Sequence, residues 1–244
     1  MIRVAAVGDV HVGPDSTCPL GTEPERIAED ADLLLLAGDL TRVGAVDEAE
    51  ALVAALECIR GFPVVGVLGN HDLASDAGDE ITKVMTAAGV TMLEGESTVV
   101  IVGDATVGIA GTRGFGGGFP GACAAEFGEP EMRAFVHFSK RLAASLTSSL
   151  EELETDVRIA LTHYAPIEDT LEGERLEIYP FLGSYLLAEA VDTARADLAV
   201  HGHAHHGTER GVTPGGTAVR NVAQPVLRRP YGLYCLEPVS TPVP

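Results

Sequence analysis

Tryptophan is absent from this 244-residue chain, aromatic residues make up 5% of it, and only two lysines occur, Lys83 and Lys140. Acidic residues outnumber basic ones 36 to 16, for a formal charge of −20. Sequence-blind binding to a nucleic-acid backbone rests on clustered Lys and Arg, so this balance argues against a nucleic-acid partner. It argues equally against an anionic membrane surface and points to small or locally recognised substrates. Cysteine is scarce as well. Cys18, Cys58, Cys123 and Cys235 are widely scattered with no C-x-x-C pair, the pattern of reduced intracellular thiols rather than a disulfide framework or zinc ribbon. No apolar stretch approaches the roughly 20 residues that span a bilayer. MIRVAAVGDVH has no long apolar core with a small-residue cleavage site, so no signal peptide is read. The expectation is a cytoplasmic protein.

What is present is a regular alternation of short apolar runs and amphipathic segments. IRVAAVG (2–8), LLLLAG (33–38) and PVVGVLG (63–69) each end in Gly followed shortly by polar residues, as buried strands do when their carboxyl ends open into functional loops. Between the second and third, Ala49, Leu52, Val53, Leu56 and Ile59 recur at helical spacing before Gly61, which predicts a β-α-β-α-β start. STVVIVGD (97–104) and ATVGIAG (105–111) read as a hairpin. A long helix is predicted from Pro130, with Phe135, Phe138, Leu142, Leu146, Leu150 and Leu153 along one face. VRIALTHY (157–164), DLAVHGH (197–203), TAVRNVA (217–223) and YGLYCLE (231–237) read as later strands, and 181–194 as a helix. The Gly-rich GTRGFGGGFPG (111–121) reads as a mobile loop rather than a boundary. One compact α/β domain over 1–244 is the expectation.

VHGHAHHG (200–207) holds four of the eight histidines within six positions, well inside the chain. By itself it is as compatible with a solvated loop as with half of a metal site, although His-x-His on extended backbone sends both imidazoles to one side. The partners decide between these. Asp9 and His11 follow the first predicted strand, Asp39 the second, and Asn70-His71-Asp72 the third. His163 ends VRIALTHY, and His203 and His205 follow DLAV. All lie just past carboxyl ends of strands, the edge of an open α/β sheet where ligands bind.

This ordered set, GDVH (8–11), GDLT (38–41), GNHD (69–72), THY (162–164) and GHAH (202–205), resembles the calcineurin-like metallophosphoesterase superfamily. The motifs span 8–205, and five in order are highly specific where any one alone is weak. The resemblance implies a four-layer α/β/β/α sandwich of two mixed sheets with two metals at strand ends. Asp9, His11 and His205 would hold the first metal, Asn70, His163 and His203 the second, and Asp39 would bridge them. The mixed O/N donor set, without thiolate, suits Mn, Fe or Zn. The implied reaction is phosphoester hydrolysis by a hydroxide shared between the metals, with His71 as general acid on the leaving oxygen. GDLT and the compact size look similar to bacterial class III cyclic-nucleotide phosphodiesterases, which favours a diester. A monoesterase acting on small phosphorylated metabolites and a catalytically silent scaffold are the alternatives.

Other residues carry weaker expectations. His201 and His206 read as outer partners of the ligands or as solvated side chains, and His137 as part of a solvated helix face. Tyr164 could touch substrate or simply pack. GGGFPG (116–121) matches G-x-G-x-x-G, but Pro120 and the lack of a ribose-binding signature argue against a dinucleotide site. Residues 112–140 and 166–184 are expected to form a rim over the metals. One departure from the family's pattern stands out: many relatives place an Asp three residues after the bridging Asp, where it orients the histidine, and here that position is Arg42. It leaves the partner of His71 open, and it makes Arg42 a candidate for binding a substrate phosphate.

Overall fold

The structure, a computed structural model, describes residues 1–16 and 19–238. Strands β1 (Ile2–Val7), β2 (Leu33–Ala37) and β3 (Val64–Val67) alternate with helices α1 (Arg26–Asp30) and α2 (Val46–Leu56). Helix α3 (Gly78–Ala87), strand β4 (Thr91–Met92) and the hairpin β5 (Glu96–Val102) and β6 (Ala105–Thr112) follow. A short hairpin, β7 (Gly118–Phe119) and β8 (Ala122–Cys123), leads into α4 (Pro130–Glu151) and β9 (Val157–Thr162). Next come α5 (Tyr179–Leu182), α6 (Tyr185–Thr193) and β10 (Leu198–His201). Strands β11 (Arg210–Val212) and β12 (Ala218–Asn221), helix α7 (Gln224–Leu227) and strand β13 (Gly232–Leu236) complete the order.

The strands form two large mixed sheets, ordered β13-β1-β2-β3-β4 and β11-β12-β10-β9-β6-β5. β1 to β4 are mutually parallel and β13 is antiparallel to β1. In the second sheet β6, β9, β10 and β12 run parallel between the antiparallel edge strands β5 and β11. The expected 97–111 hairpin is the β5–β6 pair.

Three apolar clusters define four layers. Alternate residues of β2 show how: Leu33, Leu35 and Ala37 join β6, β9 and β10 side chains between the sheets, while Leu34 and Leu36 turn to α1, α2 and α3. A strand buried on both faces must be apolar at every position. The four leucines are fully buried, each contributing roughly 1.5–3 kcal/mol by the area rule. A third cluster packs α4 and α6 on the outer face of the second sheet. The result is the expected α/β/β/α sandwich.

Two helices differ from the periodicity. The buried line of α4 is Val136, Ser139, Ala143, Leu146 and Leu150, rotated from the expected stripe. Small residues at Ser139 and Ala143 let the helix lie close on Ala110 and Ala160, with Ser139 Oγ donating to the Gly116 carbonyl. Phe135 and Phe138 are thereby displaced to the flank, against Phe115. The helix expected over 181–194 is two: α5 ends at Leu182, and Ser184 caps α6 by accepting from the Leu186 N–H at 3.3 Å. The Gly-rich segment runs into the β7–β8 hairpin and supplies its first strand, with Phe119 buried and the Gly117 and Gly118 N–H groups bonded to the Pro180 and Gly183 carbonyls. Cys58, Cys123 and Cys235 are free thiols; Cys18 lies outside the described residues. No helix among the described residues is long and apolar enough to cross a membrane.

Candidate metal centre

The carboxyl ends of β1, β2, β3, β9 and β10 meet at one place, and the loops leaving them carry every predicted ligand. Four of these residues adopt left-handed backbone: Asp9 at φ +56°, His11 at +43°, Asp39 at +50° and His203 at +69°. Such conformations cost of order 1–3 kcal/mol each outside glycine and cluster where side chains must be aimed. Bonds between the loops hold them. Asp9 N–H donates to the Gly38 carbonyl at 2.9 Å, His11 N–H to the Asp39 carbonyl at 3.1 Å, and His203 N–H to Asp9 Oδ2 at 2.9 Å. Two glycines permit the close approach. A Cβ at Gly69 would fall on the Asp39 carboxylate, and one at Gly202 on that of Asp9.

The donors fall into two groups. Asp9, His11, Asp39 and His205 place ligand atoms within 4.8 Å of one another, and so do Asp39, His163 and His203. In the first group His205 Nε2 lies 2.9 Å from Asp9 Oδ1 and 3.4 Å from His11 Nε2. In the second, His163 Nε2 faces Asn70 Oδ1 at 3.1 Å and Asp39 Oδ1 at 3.3 Å. Asp39 is shared, its Oδ2 lying 3.8 Å from His11 Nε2. In the second group the ring nitrogens not aimed inward are tied to backbone. His163 Nδ1 donates to the Ala37 carbonyl at 2.8 Å, and His203 Nε2 to the Phe181 carbonyl at 3.3 Å. These bonds fix the tautomers, leaving a lone pair on His163 Nε2 and another on His203 Nδ1.

Protonation equilibria favour the same use. Burial, with His163 nearby, pushes His203 down to about 3, and burial also lowers His11. Both are therefore neutral imidazoles at physiological pH. Burial tends to raise Asp9, but the His205 hydrogen bond and the surrounding histidines outweigh it and hold the carboxyl below its usual range. His205 is raised by that same bond. Imidazoles, two of them held neutral, with two carboxylates and an amide oxygen, one carboxylate lying between the two groups, are a donor set that fits two cations.

His71 is half-buried beside this set, its ring 4.5 Å from that of His11. Its Nδ1 donates to the backbone carbonyl of Arg42 at 2.7 Å. A main-chain oxygen thus holds the histidine, which answers the question that Arg42 raised in the sequence. The Arg42 guanidinium is drawn instead to Asp15, 2.6 Å away, and lies over Gly13. Tyr164 is buried, its ring 4.4 Å from that of His203; burial, then the Asp39 charge, pushes its phenol up to about 12.

Two residues have structural duties that their motifs did not predict. Asp72 is fully buried and accepts from Leu40 N–H, Thr41 N–H, Thr41 Oγ and Gly69 N–H at 2.6–3.2 Å. It clasps the loop after β2 to the loop after β3, which are the loops carrying Asp39 and Asn70. The signal was the final letter of GNHD, whose partner is the Thr of GDLT. His201 is buried with Nε2 2.8 Å from Thr170 Oγ, so it is not a solvated side chain. His206 is exposed, and its N–H donates to Glu174. His137 is exposed on α4 beside Glu126, as expected.

Comparison with known proteins gives a consistent result. The calcineurin-like phosphoesterase family model matches residues 2–207. Among solved structures, a phosphopantetheinyl hydrolase from Mycobacterium tuberculosis superposes with a TM-score of 0.67 at 18% identity, over 99% of this chain and 98% of that one. The protein TT1561 of Thermus thermophilus gives 0.58 at 16% identity, over 96% and 98%. A putative 5'-nucleotidase from Staphylococcus aureus gives 0.54 at 18%, over 90% of this chain but 48% of that one. Identities this low speak to the fold. A search of curated proteins finds no match. The family match and the convergent donor set lead to one conclusion: the chain belongs to the calcineurin-like phosphoesterases and is a metal-dependent phosphoesterase.

Proposed function

We propose that this protein is a dinuclear phosphodiesterase acting on a small phosphoester, with Asp9, His11, Asp39 and His205 around one cation and Asp39, Asn70, His163 and His203 around the other. The observation that carries this reading is the position of Asp39, whose two oxygens face different histidines, His11 and His163. The ligand chemistry suits Mn, Fe or Zn. Bound there, such cations supply Lewis acidity for phosphoryl oxygens and bring the pKa of water towards neutrality.

The protein's own groups do the rest. With Nδ1 committed to the Arg42 carbonyl, a protonated His71 has only Nε2–H left to deliver to a departing alkoxide, which then leaves as an alcohol. Asp72 keeps the β2 and β3 loops in register, and the Ala37 and Phe181 carbonyls hold His163 and His203 at fixed tautomers. A diester is favoured by the charge balance. A monoester carries between one and two negative charges near neutral pH, a diester only one, and the chain itself carries a formal charge of −20. The resemblance of GDLT and of the chain's compact size to bacterial class III cyclic-nucleotide phosphodiesterases supports the same choice.

The test compares bis(p-nitrophenyl) phosphate with p-nitrophenyl phosphate in Mn²⁺ and after chelation, with His71→Asn beside the wild type. The expected result is chelator-sensitive turnover favouring the diester, and two cations bound in both proteins. His71→Asn is expected to lower kcat by about 10²–10⁴-fold on poor leaving groups, and by less on p-nitrophenolate, which needs a proton least. Preference for the monoester would make the protein a phosphatase of small metabolites. Two bound cations with no turnover of any ester would make it a scaffold.

A further inference from the structure

Beside the metal centre lies a cavity of about 390 Å³, walled by Asn70, Leu73 and Arg113 and by the rings of Phe115, Phe135, Phe138 and Tyr164. The chain has twelve Phe and Tyr residues, and four of them meet here. They come from three separate segments: the loop after β6, helix α4 and the loop after β9. Tyr164 and Phe115 also pack on the α4–α6 cluster, but Phe135 and Phe138 stand outside it, because α4 seats itself on the sheet through Ser139, Ala143 and Leu146. The rotation of that helix leaves Phe135 and Phe138 facing sideways into the cavity.

The rings are arranged for edge and face contacts. Phe115 stands 5.1 Å from Phe135, 4.8 Å from Phe138 at 81°, and 5.7 Å from Tyr164, all between ring centroids. Phe138 is braced by two guanidinium groups, Arg113 at 5.2 Å and Arg141 at 5.1 Å from its centroid. Arg113 makes no ion pair among the described residues, unlike Arg3, Arg26, Arg42, Arg60, Arg175 and Arg229. Its own carbonyl accepts from both His163 N–H and Tyr164 N–H at 2.9 Å, which locks this wall to a proposed ligand. The cavity is also continuous with the centre itself. Asn70 belongs to both, and Tyr164 has one face toward His203 and lines the cavity as well.

We infer that this cavity is a substrate subsite that takes a planar aromatic group carried on the phosphoester, the phosphoryl end lying at Asn70 and the ring among Phe115, Phe135, Phe138 and Tyr164. This inference rests on the phosphoesterase reading above and names the substrate class for it. Aromatic rings offered at fixed angles favour another ring over a saturated chain of equal size, because edge-to-face and offset contacts add to simple burial.

The test measures binding of three phosphonates, phenyl, cyclohexyl and methyl, to the Mn²⁺-loaded protein by calorimetry. They share a head group and differ only in what enters the cavity. Phenylphosphonate is expected to bind about tenfold or more tightly than methylphosphonate, the range of base–aromatic stacking in other proteins, and clearly more tightly than cyclohexylphosphonate. Phe135→Leu, which preserves apolar volume while removing the ring, should cut the phenyl-to-methyl ratio below about threefold. Phe127→Ala removes a ring that is 86% exposed and is not among the cavity's walls, and should leave the ratio unchanged. Equal binding of phenyl and methyl, equal binding of phenyl and cyclohexyl, an unchanged ratio in Phe135→Leu, or no binding of any of the three would each overturn the inference. The two readings fail separately. Ester turnover without an aryl preference removes only the subsite, and aryl-selective binding with turnover confined to monoesters removes only the diester reading.

Discussion

The same residue, aspartate, stands at both ends of the sheets and does different work at each. At the amino ends, Asp32, Asp156 and Asp197 immediately precede β2, β9 and β10. Each accepts from the backbone N–H of the second residue of the neighbouring strand: Arg3, Thr106 and Arg158, at 2.7–2.8 Å. None has a left-handed backbone and none is buried. At the carboxyl ends, Asp9 and Asp39 are buried, left-handed and surrounded by histidines. A carboxylate at a strand end is therefore no mark of function by itself. The marks are burial without a cationic side chain permanently in place, and backbone strain that the fold tolerates instead of relaxing.

The comparison is broken most severely by Asp39→Asn. If Asp39 lies between two cations, its loss should leave at most one per chain by metal analysis. Activity should fall by more than the roughly 10–100-fold that even outer partners of a metal site cost. The metal-free variant should be no less stable than metal-free wild type in urea, because one carboxylate in a crowded, strained site has been neutralised. A stability loss with both cations retained would move Asp39 into the same class as Asp32.

Asp72 sharpens the comparison from the other side, since it sits at the functional end but behaves as a fastener. Burial pushes its carboxyl up in pKa, against the bonds from Thr41 and Gly69 that favour the ionised form. Asp72→Asn would turn an amide N–H₂ toward donors now answered by a carboxylate oxygen. Leaving buried donors unanswered costs about 1–3 kcal/mol, so the urea midpoint should fall by that equivalent with the slope unchanged. Stability equal to wild type would mean the two loops are held by something else.

Much of this was legible in the letters, for physical reasons. LLLLAG reads as a strand because burial on both faces removes every polar position, and the Gly-Asp after it reads as a site because the loop must turn sharply there. His-x-His and the ordered motifs located all seven proposed ligands at strand ends. What the letters hid was of two kinds. Periodicity gives spacing but not how near a helix can come, so it missed that Ser139 and Ala143 centre the buried face of α4 and that Phe135 and Phe138 flank it. The partners of His71, His163 and His203 are the backbone carbonyls of Arg42, Ala37 and Phe181. A carbonyl belongs to every residue and leaves no trace in a motif, which is why Arg42 drew attention for its guanidinium when its main chain does the holding. The short strands β4, β7, β8 and β11 are two or three residues long and carry no period to detect.

Asp32 gives the smallest and most diagnostic effect. Its carboxylate accepts from Arg3 N–H and from the Arg3 guanidinium, each at 2.8 Å. These bonds, the side-chain one first, hold it below the ordinary carboxylate range. An aspartate lowered in the folded state contributes stability that is complete above its unfolded pKa of about 3.9 and is lost as pH falls through the folded value. Because Arg3 is partly exposed and screened by solvent, Asp32→Ala should cost only about 1 kcal/mol at pH 7. That difference should persist at pH 5 and shrink at pH 3 as the wild-type carboxyl begins to protonate. Phosphoester turnover and metal content should stay within about twofold of wild type, because this carboxylate fastens β1 to β2 at the end away from the centre. A loss of bound metal in Asp32→Ala would show that the two ends of the sheet are coupled through these strands, and the division of labour between the aspartates would fail.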